Sequence, residues 1–276
     1  MPGARDVVVR LGATTALDGV SLDLRPGEVT AVVGGDGAGK TTLLRALLRR
    51  VPLDGGTVDV PPAERIGYEP STSGVWPNLT VAQNVEFVGT SYGMSDDDVA
   101  RRGTELLDAA ALTGARDRLG RHLSGGMRQK LGFCLAMLHS PALLLLDEPS
   151  TGVDPVSRIE LWRLVTAAAQ GGAAVLMTTT YLDEAERATT VVALDAGHVL
   201  AAGDPAAVVG DVPGRVTSSS THPGGERTWR RGTSFRTWVP DGAAGDGGGA
   251  DLGEPIAPDL EDTLIALTLA RTEAAR

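Results

Sequence analysis

The chain has 276 residues, 42% of them hydrophobic, and a formal net charge of −10, with a mean hydropathy of +0.01 and an isoelectric point near 4.9. That length allows one large domain or two smaller ones, and the acidic balance argues against broad nucleic-acid binding, so no nucleic-acid partner is expected. The single cysteine, Cys134, excludes a disulfide within the chain and, set among apolar neighbours, reads as a buried structural thiol in a reducing compartment.

The opening Met1-Pro2-Gly3-Ala4-Arg5-Asp6 lacks the apolar core of a signal peptide. Val7-Val8-Val9 and Ser21-Leu22-Asp23-Leu24 predict short strands, and Pro26-Gly27 a turn. An apolar run at 29–33 then leads into Gly34-Gly35-Asp36-Gly37-Ala38-Gly39-Lys40-Thr41-Thr42, followed by Leu43, Leu44, Leu47, Leu48 and Val51 at helical spacing. Strand, glycine loop and helix in that order make a phosphate-binding loop. Glycines let the backbone curl so that successive N–H groups face a phosphate, and the helix N-terminus adds partial positive charge. Lys40 is placed to reach β- and γ-phosphates, and Thr41 to reach Mg²⁺.

Beyond this helix, strands are expected at 57–60 and 65–68, and a loop over 69–79. Thr80-Val81-Ala82-Gln83 is a capping-box pattern, and Ser95 before Asp96, Asp97 and Asp98 is a second helix start. Ser124-Gly125-Gly126 opens a third helix, so 80–139 reads as a helical insertion. The apolar stretch 131–146 is broken by His139, Ser140 and Pro141 and ended by Asp147, so no membrane span is expected. Leu143-Leu144-Leu145-Leu146 lacks alternation, as in a strand buried on both faces of a parallel sheet.

Asp147-Glu148-Pro149 follows that strand, which puts two carboxylates at the sheet edge where the phosphate loop lies. Asp147 is placed to hold Mg²⁺ through water and Glu148 to act as general base toward an attacking water. Asp154-Pro155 is a helix start, with Ile159, Trp162 and Val165 at helical spacing. A buried strand at 173–177, a short helix at 182–188 and a strand pair at 191–194 and 199–202 complete an α/β pattern with a largely parallel sheet. From about Gly210 the character changes. Strand-like pieces carry Trp229, Phe235 and Trp238; Arg227, Arg230, Arg231 and Arg236 could touch anionic lipid or a partner, though a solvated strand face is the expected reading. A Gly-rich loop at 242–253 precedes a last helix, capped by Asp259. The expected domains are 1–210 and an accessory 211–276.

Leu123-Ser124-Gly125-Gly126-Met127-Arg128-Gln129-Lys130 and Ser150-Thr151-Gly152-Val153-Asp154-Pro155, taken in order with the loop and the acidic pair, resemble the ATP-binding cassette proteins over roughly 7–210. Ile66-Gly67-Tyr68-Glu69-Pro70, Trp76-Pro77-Asn78-Leu79-Thr80-Val81, Tyr181-Leu182-Asp183-Glu184-Ala185-Glu186 and Pro258-Asp259-Leu260-Glu261-Asp262-Thr263-Leu264 are similar to the bacterial drug- and antibiotic-export branch. The resemblance implies a P-loop NTPase fold with an antiparallel N-terminal β part and an inserted helical subdomain. It also implies ATP and Mg²⁺ as ligands, and a second cassette, identical or different, that sandwiches two ATP molecules. In that arrangement Ser124, Gly125 and Gly126 face the partner's ATP, and Asp154 contacts the other cassette. A separate multi-span membrane permease would dock at the groove around Ser71 to Trp76, placing the chain at the cytoplasmic face of the membrane.

Three positions depart from the family pattern. Ser71 stands where the family has a glutamine that contacts metal and water, Thr180 where it has a histidine that holds the γ-phosphate, and Leu11 where it has an aromatic that stacks on adenine. These departures lead us to expect ATP binding with slow hydrolysis. Two other functions compete with export at this stage: a nucleotide-gated scaffold with negligible turnover, and a soluble cassette ATPase acting on DNA or ribosomes.

Overall fold

The computed structural model describes residues 2–242, 252–274 and 276, so residues 243–251 of the Gly-rich loop lie outside the described residues. The elements run β1 (Gly3–Leu11), β2 (Thr14–Asp23), β3 (Val29–Val33), α1 (Lys40–Leu47), β4 (Gly55–Asp59) and β5 (Ile66–Glu69). They continue with α2 (Val81–Ser91), α3 (Asp96–Ala109), α4 (Gly125–Met137), β6 (Leu143–Asp147), α5 (Pro155–Gln170), β7 (Ala174–Thr179), α6 (Leu182–Ala185), β8 (Thr190–Asp195) and β9 (His198–Gly203). The tail carries α7 (Pro205–Gly210), β10 (Arg215–Ser219), β11 (Thr228–Arg231), β12 (Ser234–Val239), β13 (Glu254–Ile256) and α8 (Leu260–Ala274).

The chain divides into two compact units, 1–199 and 200–276. The change of character in the sequence falls later, near Gly210, because α7 reads like the elements before it. In the structure α7 packs on α8 and so groups with the tail.

In the first unit, β2-β1-β4 is an antiparallel sheet. The central sheet runs β5-β6-β7-β3-β8 and continues to β9, in which the boundary falls. Its pairs β5–β6, β6–β7, β7–β3 and β3–β8 are parallel. β3, β6 and β7 are buried along their whole length, as strands without polar alternation must be when both faces are covered. One core joins both sheets to α1 through Val7, Leu17, Val32, Leu43, Leu145 and Leu176. The fold is therefore α/β with a mostly parallel core sheet, an antiparallel N-terminal part and inserted helices.

Each helix expected from a cap begins at that cap. Thr80 Oγ1 accepts from Gln83 N at 3.1 Å, and Gln83 Oε1 accepts from Thr80 N at 2.9 Å. Ser95, Ser124 and Asp154 likewise accept from first-turn amides of α3, α4 and α5. On α5, Trp162 and Val165 are buried but Ile159 is 45% exposed, so the apolar stripe expected from spacing is incomplete at its first member.

In the second unit, β11-β12-β10-β13 is an antiparallel sheet. Of the four arginines expected on a solvated face, Arg230 is exposed, while Arg227 and Arg231 are engaged in ion pairs. Arg227 pairs with Glu273 on α8 at 2.7 Å, and Arg231 pairs with Asp259 at 2.6 Å and with Glu261. Acids on and beside the last helix had no mark in the sequence as their partners.

Cys134 and Glu69 are titratable groups inside the first unit, away from the phosphate loop. Cys134 is buried, and burial with the nearby Glu69 pushes its thiol up to about 12. Glu69, at the end of β5 and against Gly132 of α4, is fully buried, and neither carboxyl oxygen has a hydrogen-bond partner among the described residues. Burial pushes its pKa well above the ordinary carboxylate value. A carboxyl that ionises in the unfolded chain at that ordinary value, yet holds its proton when folded, favours unfolding increasingly as pH rises between the two. Glu69→Leu is expected to raise the melting temperature at about pH 8, corresponding to roughly 1–3 kcal/mol or more, with a smaller gain at about pH 4. Thermal melts at the two pH values check this. A gain that does not change with pH contradicts it.

Candidate functional site

The site lies at the carboxyl edge of the central sheet. β3 delivers the chain into the loop 34–39, and α1 leaves from it. Gly37 and Gly39 take φ of 80° and 109°, in the left-handed region that glycine favours. Gly39 is the N-cap of α1, and a Cβ there would fall 2.7 Å from the Ala16 carbonyl oxygen. At Gly34 a Cβ would meet the Leu194 carbonyl oxygen at 2.3 Å. The two ends of the loop are thus packed too closely against neighbouring backbone to take a side chain, while Gly35 and Gly37 face open space. The first turn of α1 supplies the orphan amides of a helix start, with Lys40, Thr41 and Thr42 as its residues.

Lys40 is buried, and its ammonium donates to the carbonyls of Gly34 at 2.7 Å and Gly35 at 3.2 Å. It also lies 3.3 Å from Glu148 Oε1. Thr41 Oγ1 lies 3.3 Å from Asp147 Oδ1 and 3.4 Å from Oδ2. The parallel register sets Asp147, the last residue of β6, opposite Thr178 of β7. Thr178 Oγ1 donates to Asp147 Oδ1 at 2.9 Å and accepts from Glu148 N at 2.9 Å. Burial raises the Asp147 pKa, against the pull of the Thr178 and Thr41 hydroxyls, while the neighbouring Glu148 adds to the rise.

Glu148 takes φ of 50°, a conformation that costs a non-glycine residue ~1–3 kcal/mol. Its backbone amide is tied to Thr178, and its Oε2 accepts from Thr151 Oγ1 at 3.2 Å. Such strain persists because the surroundings over-determine the residue, and here it swings the carboxylate over Lys40.

Chemically, the edge offers a curled amide loop, one fixed cation, a hydroxyl–carboxylate pair and a second carboxylate. That set can bind a polyphosphate. Thr41 and Asp147 are hard oxygen donors and too few for a full cage. No group of three or more His, Cys, Asp or Glu among the described residues could hold a metal alone. Two protein oxygens completed by phosphate and water match the way Mg²⁺ is held.

Of the residues singled out in the sequence, the structure gathers the loop, Lys40, Thr41, Asp147 and Glu148. Ser124, Gly125 and Gly126 lie elsewhere, against the start of α5. A Cβ on Gly126 would meet Ser157 Oγ at 2.5 Å, and one on Gly125 the Gly152 carbonyl at 3.4 Å. Among the described residues, no hydrogen bond joins this turn to the phosphate loop. Ser71, Thr180 and Leu11 are all exposed. Thr178 was missed in the sequence; its only signal was a hydroxyl at the end of an otherwise apolar strand. Asn84 was missed as well. It is fully buried and pins the loop before α2, accepting from Trp76 N at 2.8 Å and donating to the Thr80 carbonyl at 2.9 Å. That loop presents Trp76, 42% exposed, edge-on to Phe87, 47% exposed, at 4.5 Å.

Comparison with known proteins places the chain in a family. The sequence model of a family described as "ABC transporter" matches residues 17–151. The chain is 41% identical over 207 residues to the daunorubicin resistance ATP-binding protein DrrA2 of Streptomyces coeruleorubidus, covering 71% of this chain but only 64% of that protein. It is 32% identical over 293 residues to the Nod factor export ATP-binding protein I of Cupriavidus metallidurans, covering 96% of each. Among solved structures, an ATP-binding subunit of an ABC transporter superposes with a TM-score of 0.68 at 27% identity, over 75% of this chain and 90% of that one.

Proposed function

The chain belongs to the ATP-binding proteins of the ABC transporter family, and we propose that it is the nucleotide-binding subunit of an exporter of drugs or other small molecules. The observation that carries this is the convergence of Lys40, Thr41, Asp147 and Glu148 on one sheet edge around the glycine loop. One relative named for daunorubicin resistance and one named for Nod factor export support the transport role.

In this account the amides of the loop and of the first turn of α1 cradle the phosphates of ATP, and Lys40 neutralises the β- and γ-phosphates. Thr41 and Asp147 hold Mg²⁺, which when bound spreads the charge of the phosphate oxygens. Glu148 takes a proton from the water that attacks the γ-phosphorus. The bond to the ADP oxygen breaks, and the products are ADP and inorganic phosphate. Ser124, Gly125 and Gly126 of a second cassette complete each site. A multi-span permease seats on the surface of Trp76 and Phe87, whose exposed aromatic pair is the kind of anchor an interface uses. No helix among the described residues is long and apolar enough to cross a membrane, so membrane attachment in this account runs through that permease, at the cytoplasmic face.

Hydrolysis is slow in this account. The exposed Ser71 is too short to reach where a glutamine would, and Thr180 offers one hydroxyl in place of an imidazole. Losing one preorganised contact of this kind costs ~10²–10³ in rate. Phosphate release by the purified full chain in Mg-ATP tests this, beside the pair Ser71→Gln and Thr180→His. The pair is expected to raise turnover at least ~10-fold. A pair variant no faster than its parent would show that other groups already supply these contacts.

A further inference from the structure

Glu184 on α6 has no exposure to solvent, and among the described residues it makes no hydrogen bond to the phosphate loop. Its Oε2 accepts two hydrogen bonds, from Ser150 Oγ at 2.8 Å and from Thr179 Oγ1 at 2.6 Å. Ser150 stands two residues after Glu148, and Thr179 stands directly before Thr180. Thr179 Oγ1 also accepts from Tyr181 N at 3.0 Å, which closes the turn that displays Thr180. The other oxygen, Oε1, has no hydrogen-bond partner among the described residues and faces Arg158 Nε at 3.9 Å. Arg158 lies on α5 with its guanidinium 4.2 Å from the centre of the Tyr181 ring.

The end of β7 is therefore stitched twice to the segment after β6. Thr178 and Thr179 are adjacent in a strand, so their side chains point to opposite faces. Thr178 ties Asp147 and the Glu148 amide on one face. Thr179 ties Ser150 on the other, through Glu184. All of Ser150, Thr178, Thr179 and Glu184 are buried, so breaking one bond leaves a polar group unsatisfied.

We infer that Glu184 is a positioning residue for hydrolysis: a single carboxyl oxygen holds the segment carrying Glu148 at a fixed separation from the turn carrying Thr180. The inference rests on the proposal that these two segments flank the γ-phosphate. Hydrolysis depends on such placement, since a displacement of about 1 Å can cost ~10²-fold in rate.

The test compares Glu184→Ala and Glu184→Gln in the full chain. The glutamine carbonyl can still accept from both hydroxyls; alanine cannot. Glu184→Ala is expected to lower kcat at least ~10-fold with KM for Mg-ATP within about twofold, and Glu184→Gln to stay within about threefold of the parent. Hydrogen exchange supplies the second readout. Ser150→Ala is expected to speed exchange at residues 180–182, with which Ser150 shares no direct bond, as well as at 149–153. Exchange that changes only beside the replaced residue overturns the tie, whether or not Glu184→Ala folds. A parent chain with no turnover at all refutes the hydrolysis proposal instead, and the exchange result then decides the tie by itself.

Discussion

Glu148→Gln is expected to lower ATP turnover by ~10²–10³ or more while leaving Mg-ATP binding in place. The amide is nearly the same shape as the carboxylate, so the backbone turn at φ 50° and the Thr178 tie to the Glu148 amide stay as they are. Its oxygen can still face Lys40, which lies 3.3 Å from Glu148 Oε1, and Thr151. The ability to accept a proton from water is lost, together with the charge that pairs with Lys40. Phosphate-release kinetics and equilibrium nucleotide binding, measured on the same preparation, separate the two. Unchanged turnover would mean that another group is the base. Lost binding would mean that the Glu148 carboxylate shapes the cradle rather than the chemistry.

Lys40→Ala is expected to act on the other quantity, weakening Mg-ATP binding by about 10²–10⁴-fold. A charge-assisted hydrogen bond contributes ~1.5–3 kcal/mol, two phosphates are engaged, and each ~1.4 kcal/mol is a factor of ten. The substitution also removes the cation that sits between Glu148 and the carbonyls of Gly34 and Gly35. Those acceptors then face the incoming phosphates without compensation, which pushes the effect toward the upper end. Titration with Mg-ATP beside the parent chain checks this. A change smaller than about fivefold, ~1 kcal/mol, would show that the amides alone bind the triphosphate.

Features set by neighbours in sequence were legible before the structure. β3 occupies the five residues of the apolar run before the loop, because five buried positions in a row need no partner to be recognised. The caps at Thr80, Ser95, Ser124 and Asp154 are local hydrogen bonds within three residues, so their residue types announced them. β1 and β2 were seen only in part. Their register shifts between Ala4 and Val7, between Val7 and Val9 and between Val9 and Arg10, and each shift interrupts the alternation that marks a strand.

The supports of the site were out of reach for a different reason. Thr178 meets Asp147 across 31 positions and Glu184 meets Ser150 across 34. Parallel pairing of β6 with β7 brings Thr178 to Asp147, and the return of the chain after β7 brings Glu184 to Ser150; no local pattern foretells which hydroxyl will face which carboxyl. The same holds for Arg227 and Glu273, 46 positions apart. Asn84 lay inside a recognised helix, but its burial beneath the Trp76 loop depends on how that loop folds back.

The central claim is that the loop around Lys40 grips a nucleoside triphosphate. Isothermal titration of the purified full chain with Mg-ATP tests it most directly. The account requires saturable binding at one site per chain, weakened in Lys40→Ala. Absence of saturable binding, or equal affinity in the two proteins, would contradict it.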